Sequence, residues 1–114
     1  MKAVIWHNPD CGTSRKTLAI LEEAAGIDLM VIRYLDHPYS RSEIADLITT
    51  AGLTPREALR LRGTDAEERG LDKASESAIL DAMAANPAYV NRPFVRTDKG
   101  ARLCRPQELV YGLL

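Results

Sequence analysis

The spacing of apolar positions changes several times along the chain, and each change marks an element. Residues 2–6, Lys-Ala-Val-Ile-Trp, are a short, partly β-branched apolar run closed by His7-Asn8-Pro9-Asp10, which predicts a buried strand feeding a loop. From Gly12 the spacing turns helical. Leu18, Leu21 and Ala25 fall on one face, Thr13, Ser14 and Arg15 fill the opening turn, and Gly26 provides the stop. Leu29-Met30-Val31-Ile32 with Tyr34-Leu35 reads as a second buried strand, and a helix between two strands implies a parallel pair with a right-handed crossover.

After His37-Pro38 the pattern is helical. Three capping boxes are predicted: Ser40 with Glu43, Thr54 with Glu57 behind Pro55 at the first helical position, and Thr64 with Glu67. A further amphipathic segment turns Ile79, Leu80 and Met83 inward and ends before Asn86-Pro87. Phe94-Val95-Arg96-Thr97, a turn at Asp98-Lys99-Gly100, and Ala101-Arg102-Leu103-Cys104-Arg105 carry a β-hairpin signature, and Pro106 opens a last short helix. These elements make one α/β domain over residues 1–114: a mixed four-stranded sheet flanked by helices, with a helical insertion at about 38–88.

Composition narrows the possible functions. The chain has 114 residues, 15 Lys plus Arg and 16 Asp plus Glu, for a formal charge of -1, so no overall field favours nucleic acid or an anionic membrane. An anion must be caught locally. The opening residues lack the apolar run of a signal peptide, and no stretch approaches the roughly 20 apolar residues of a membrane span. The expected location is the cytoplasm, where Cys11 and Cys104 would stay as thiols rather than pair.

Cys11 lies at the predicted loop-to-helix junction, where the unpaired N–H groups of Gly12, Thr13 and Ser14 and the helix dipole favour a thiolate and would also hold an oxyanion. His7, four positions before, either tunes the thiol or simply ends the strand. Arg15, four positions after, is the weaker source of positive charge, and the neighbouring Asp10 opposes a thiolate unless it points away. The polar loop around Cys11 is a poor place to bury a thiol, whereas Cys104 reads as a buried bystander in a strand. Ser14 occupies the place of the second cysteine of a Cys-x-x-Cys motif, and the two cysteines with His7 and His37 lack the paired spacing of zinc ligands. Thr17 stands where a cysteine phosphatase loop would need arginine.

His7-Asn8-Pro9-Asp10-Cys11-Gly12-Thr13-Ser14-Arg15, Asn91-Arg92-Pro93 and Arg102-Leu103-Cys104-Arg105-Pro106, with Ala58-Leu59-Arg60 in the helical block, resemble the glutaredoxin-coupled arsenate reductases. The resemblance spans essentially the whole chain. It implies a thioredoxin-like fold with an inserted helical subdomain, for which a cis Arg92-Pro93 bond would be suited. It further implies that Cys11 attacks arsenate, that Arg60, Arg92 and Arg105 hold the oxyanion, and that His7 influences the thiol. Glutathione would be the cosubstrate and glutaredoxin the partner, with no metal or organic cofactor. The alternatives are a glutathione-dependent thiol oxidoreductase for another substrate, and a redox-regulated binding protein.

Overall fold

Four strands form one mixed sheet: β1 (Lys2–His7), β2 (Asp28–Arg33), β3 (Phe94–Thr97) and β4 (Gly100–Leu103), in the order β2-β1-β3-β4. The computed structural model describes residues 1–114, which divide into two compact units, residues 1–37 with 92–114 and residues 38–91. The sheet belongs to the first unit. β1 runs parallel to β2, from Lys2 opposite Asp28 to His7 opposite Arg33, and antiparallel to β3, from Ala3 opposite Thr97 to Trp6 opposite Phe94. Thr97 opposite Gly100 closes the expected hairpin, and Gly100 adopts φ +128, which favours a residue without Cβ.

The helix α1 (Gly12–Glu23) joins β1 to β2, and Ala3 and Ile5 on one face of β1 pack with Leu21, Val95, Cys104, Val110 and Leu113. Side-chain alternation places His7 on the same face as Ala3 and Ile5, at the strand end that feeds α1. Each large aliphatic group in this cluster contributes about 1.5–3 kcal/mol of burial. The last helical segment, Gln107–Leu113, is a 3₁₀ helix.

Two expectations need correction here. β2 is an edge strand rather than a buried one: Met30 is 59% exposed and Val31 44%, because β2 has a partner on one side only. Within α1 the buried stripe is Ser14, Thr17 and Leu21; of the expected Leu18, Leu21 and Ala25, Leu21 is buried, Leu18 packs half-buried against the core and Ala25 is exposed. The helix ends at Glu23 with Ala24 extended, which takes Ala25 off the helical face, and the Thr17 hydroxyl is satisfied by donating to Thr13 O at 2.8 Å.

The second unit holds α2 (Arg41–Thr50), α3 (Pro55–Ala58) and α4 (Glu76–Ala85). Both boxes at the starts of α2 and α3 form: Glu43 N–H donates to Ser40 Oγ at 3.1 Å and Ser40 N–H to Glu43 Oε1 at 2.9 Å, with the same reciprocal pair between Thr54 and Glu57. The third expected box opens no helix. Thr64 Oγ donates back to Arg60 O at 2.7 Å, and Gly63 and Gly70 adopt left-handed φ on either side, so residues 61–70 run as turns. Ile44, Leu47 and Ile48 of α2 and Ile79, Ala82 and Met83 of α4 are buried, with Ala82 in the place expected for the half-buried Leu80. Arg41 Nε meets Asp81 Oδ1 at 2.6 Å between these two helices. No helix is long and apolar enough to cross a membrane.

Candidate active site

Asn8 begins the site by turning the chain out of β1. Its Oδ1 accepts from Asp10 N–H at 3.0 Å and its backbone O accepts from Cys11 N–H at 3.1 Å, a compact turn that leaves Asp10 exposed. Cys11 is the cap residue of α1, with extended backbone and its carbonyl accepting from Arg15 N–H at 3.0 Å. Its side chain therefore stands over the open first turn.

Three donors reach the Cys11 sulfur. The Arg92 side chain and the Ser14 backbone N–H both hydrogen-bond it, and Arg105 Nη1 lies 3.7 Å from Sγ. Burial pushes the thiol pKa up, but the Arg92 bond, the Ser14 amide and Arg105 outweigh it and bring the value down from 9.0 to about 7. Arg105 Nη1 also donates to Arg92 O at 3.0 Å, which ties the two arginines together. Contrary to expectation Cys11 is almost covered, 8% exposed, because these donors close over it. The peptide bonds Arg92-Pro93 and Arg105-Pro106 are both cis.

Ser14 is a hub beneath the thiol. Fully buried, its Oγ accepts from Asn8 N–H at 3.0 Å and pairs with His7 Nδ1 at 2.6 Å, so the strand end is stapled to the same helical turn whose amide meets the sulfur. Burial lowers the His7 pKa, and Arg33 and Arg15 lower it further against an opposing contribution from Glu22. His7 is thus held toward its neutral form and reaches Cys11 through Ser14 rather than as a cation. Arg15 is exposed and spends Nη1 on Pro9 O at 2.8 Å, closing the loop. Gly12 starts the helix at an exposed position, and Thr13 is half-buried with its carbonyl taken by Thr17.

Cys11, Ser14, Arg92 and Arg105 converge within the first unit, with His7 one bond removed. Arg60 belongs to the second unit. There its N–H donates to Tyr89 O at 2.7 Å, its Nε to Arg62 O at 3.0 Å and its Nη1 to Asn91 Oδ1 at 3.3 Å. Cys104 is fully buried in the first unit's core, a free thiol pushed up to about 12 by burial despite Arg102. Sequence reasoning missed Asn8, the Ser14 hydroxyl and Asn91. Asn8 could have been found from Asn-Pro-Asp, a turn signal in which the asparagine side chain caps its own loop, whereas the Ser14 and Asn91 contacts leave no mark in local spacing. No cluster of three His, Cys, Asp or Glu side chains capable of holding a metal ion is present.

Comparison with known proteins agrees with this arrangement. The chain is 49% identical to an arsenate reductase of Rhizobium meliloti (strain 1021), over 100% of this chain and 82% of that protein. It is 44% identical to one from Escherichia coli, over 96% of this chain and 79% of the other. The solved structure described as arsenate reductase from Vibrio cholerae superposes with a TM-score of 0.91 at 38% identity, covering 100% of this chain and 98% of that one. The sheet order and flanking helices make the fold thioredoxin-like. With the ArsC family profile matching residues 6–112 as well, the chain belongs to the ArsC family.

Proposed function

We propose that the protein reduces arsenate to arsenite, with Cys11 as nucleophile, glutathione as cosubstrate and glutaredoxin as the partner that regenerates the thiol in the cytoplasm. The observation that carries this reading is one thiol brought to a pKa of about 7 by two guanidinium groups and a helix-turn amide. A site that stabilises a thiolate with cations also draws a tetrahedral oxyanion, since guanidinium groups stay protonated and give charge-assisted hydrogen bonds. The arsenate reductases among the relatives supply the choice of oxyanion.

In this reading Arg92 and Arg105, joined by Arg60 and by the first-turn amides of Gly12, Thr13 and Ser14, hold the oxygens while the Cys11 thiolate attacks arsenic. A sulfur–arsenic bond forms, and an oxygen leaves as water after taking up protons. The glutathione thiolate then attacks the Cys11 sulfur. The new sulfur–sulfur bond oxidises the two thiols, and the electron pair of the broken sulfur–arsenic bond stays on arsenic, which leaves as arsenite. A glutaredoxin thiolate attacks the glutathione sulfur of that mixed disulfide and returns the Cys11 thiolate. His7 acts by fixing Ser14, and no metal or organic cofactor takes part.

The test uses purified protein with arsenate, glutathione and glutaredoxin, following NADPH consumption through glutathione reductase. Arsenate-dependent turnover that vanishes in Cys11→Ser is the expected result. Reduction of glutathionylated model thiols without any arsenate turnover would replace the proposal with a thiol reductase of another substrate.

A further inference from the structure

Arg60 and Asn91 sit on neighbouring segments of the second unit, joined by an antiparallel bridge between Leu59 and Val90. Arg60 N–H donates to Tyr89 O at 2.7 Å and Asn91 N–H to Ala58 O at 2.9 Å, so main-chain bonds fix the register on both sides of the bridge. In that register Arg60 and Asn91 are diagonal neighbours on one face, within reach for a long side chain. Arg60 Nη1 meets Asn91 Oδ1 at 3.3 Å, while Nε is held by Arg62 O at 3.0 Å. The Asn91 segment is itself clamped, because the buried Tyr89 hydroxyl donates to Asp65 and accepts from Arg69 Nη1 at 2.6 Å.

We propose that Asn91 is a positioning residue for Arg60: its side-chain oxygen sets the direction of the guanidinium that the oxyanion meets. The proposal rests on Arg60 being an arsenate ligand. An unrestrained arginine side chain carries rotamer entropy that binding must otherwise overcome, and holding the guanidinium beforehand lowers that cost. The amide suits this task better than a carboxylate. It accepts from the guanidinium without cancelling the charge needed by the oxyanion, whereas an aspartate there would hold Arg60 and neutralise it.

The experiment is a double-mutant cycle on the full chain, reading arsenate KM, kcat, melting temperature and the rate of Cys11 alkylation by a neutral reagent. Asn91→Ala is expected to raise KM about fivefold, the effect of losing one modest hydrogen bond, with kcat, alkylation and melting temperature nearly unchanged. Asn91→Asp should raise KM at least as much although it keeps the acceptor, and Asn91→Ala should add nothing in an Arg60→Ala background. Equal effects of Asn91→Ala in both backgrounds, or a fall in melting temperature without a KM change, would overturn the proposal while leaving Arg60 a ligand. If Arg60→Ala itself left KM unchanged, the reading of Arg60 would fail first and take this one with it.

Discussion

Cys11 and Cys104 lie in the same unit, each largely or wholly covered, and their thiols are displaced in opposite directions, to about 7 and about 12. Burial pushes both up. Cys11 adds to that the Arg92 side chain, the Ser14 amide and Arg105, whereas Cys104 is packed among Ala3, Ile5, Val95 and Val110 with only the field of Arg102 to oppose the cost. Coverage therefore says little about whether a cysteine reacts. The supply of donors at a helix opening decides it, and a strand end packed into an aliphatic cluster lacks them.

The comparison can be broken first at the sulfurs. Cys11→Ser is expected to reduce arsenate turnover by at least about a thousandfold, the scale of losing a nucleophile, while Cys104→Ser keeps more than half. Equal losses would mean that both thiols take part. Next come the donors: Arg92→Ala or Arg105→Ala should lower arsenate kcat/KM about a hundredfold, comparable to removing an oxyanion donor, and slow alkylation of Cys11 by a neutral reagent far less. Parallel declines would make the arginines tuners of the thiol alone.

The pH dependence of stability sharpens the contrast. Between about pH 7 and 9 the folded chain has released the Cys11 proton that the unfolded chain keeps, so this group adds stability as pH rises and the gain is lost as pH falls through about 7. Between 9 and about 12 the unfolded chain releases the Cys104 proton that the folded chain keeps, so stability declines over that window. Denaturant titrations of Cys104→Ala should lack the alkaline decline. The smallest effect on the thiol is expected from Ser14→Ala, which keeps the amide but leaves Asn8 N–H and His7 without their hydroxyl partner. Its Cys11 pKa should rise by less than in either arginine variant, alongside a stability loss of about 1–3 kcal/mol for the unsatisfied buried group.

Much of the first unit was legible because its signals are local. The β1 run, the Gly12 start, the hairpin turn and the core position of Cys104 each follow from a few adjacent residues. The same is true of the boxes at Ser40 and Thr54. Thr64 and Glu67 have identical spacing, yet the Thr64 hydroxyl is drawn back to Arg60 O and glycines interrupt the segment, a competition invisible in the motif. Met30 and Val31 misled because an apolar run reads alike on a central and an edge strand. Ser14 and Thr17 were hidden on the inward face of α1 because their hydroxyls find partners at the strand end and in the preceding turn. Arg92 and Arg105, far from Cys11 in sequence, were visible only through resemblance, since convergence of distant residues leaves no periodic trace.

The most direct test is a thiolate titration by ultraviolet absorbance on the folded Cys104→Ala variant, which isolates Cys11. A single transition centred near pH 7, moving upward in Arg92→Ala, is the predicted result. A midpoint at or above about 8.5, the range of an ordinary thiol, unmoved by that substitution, would contradict the account.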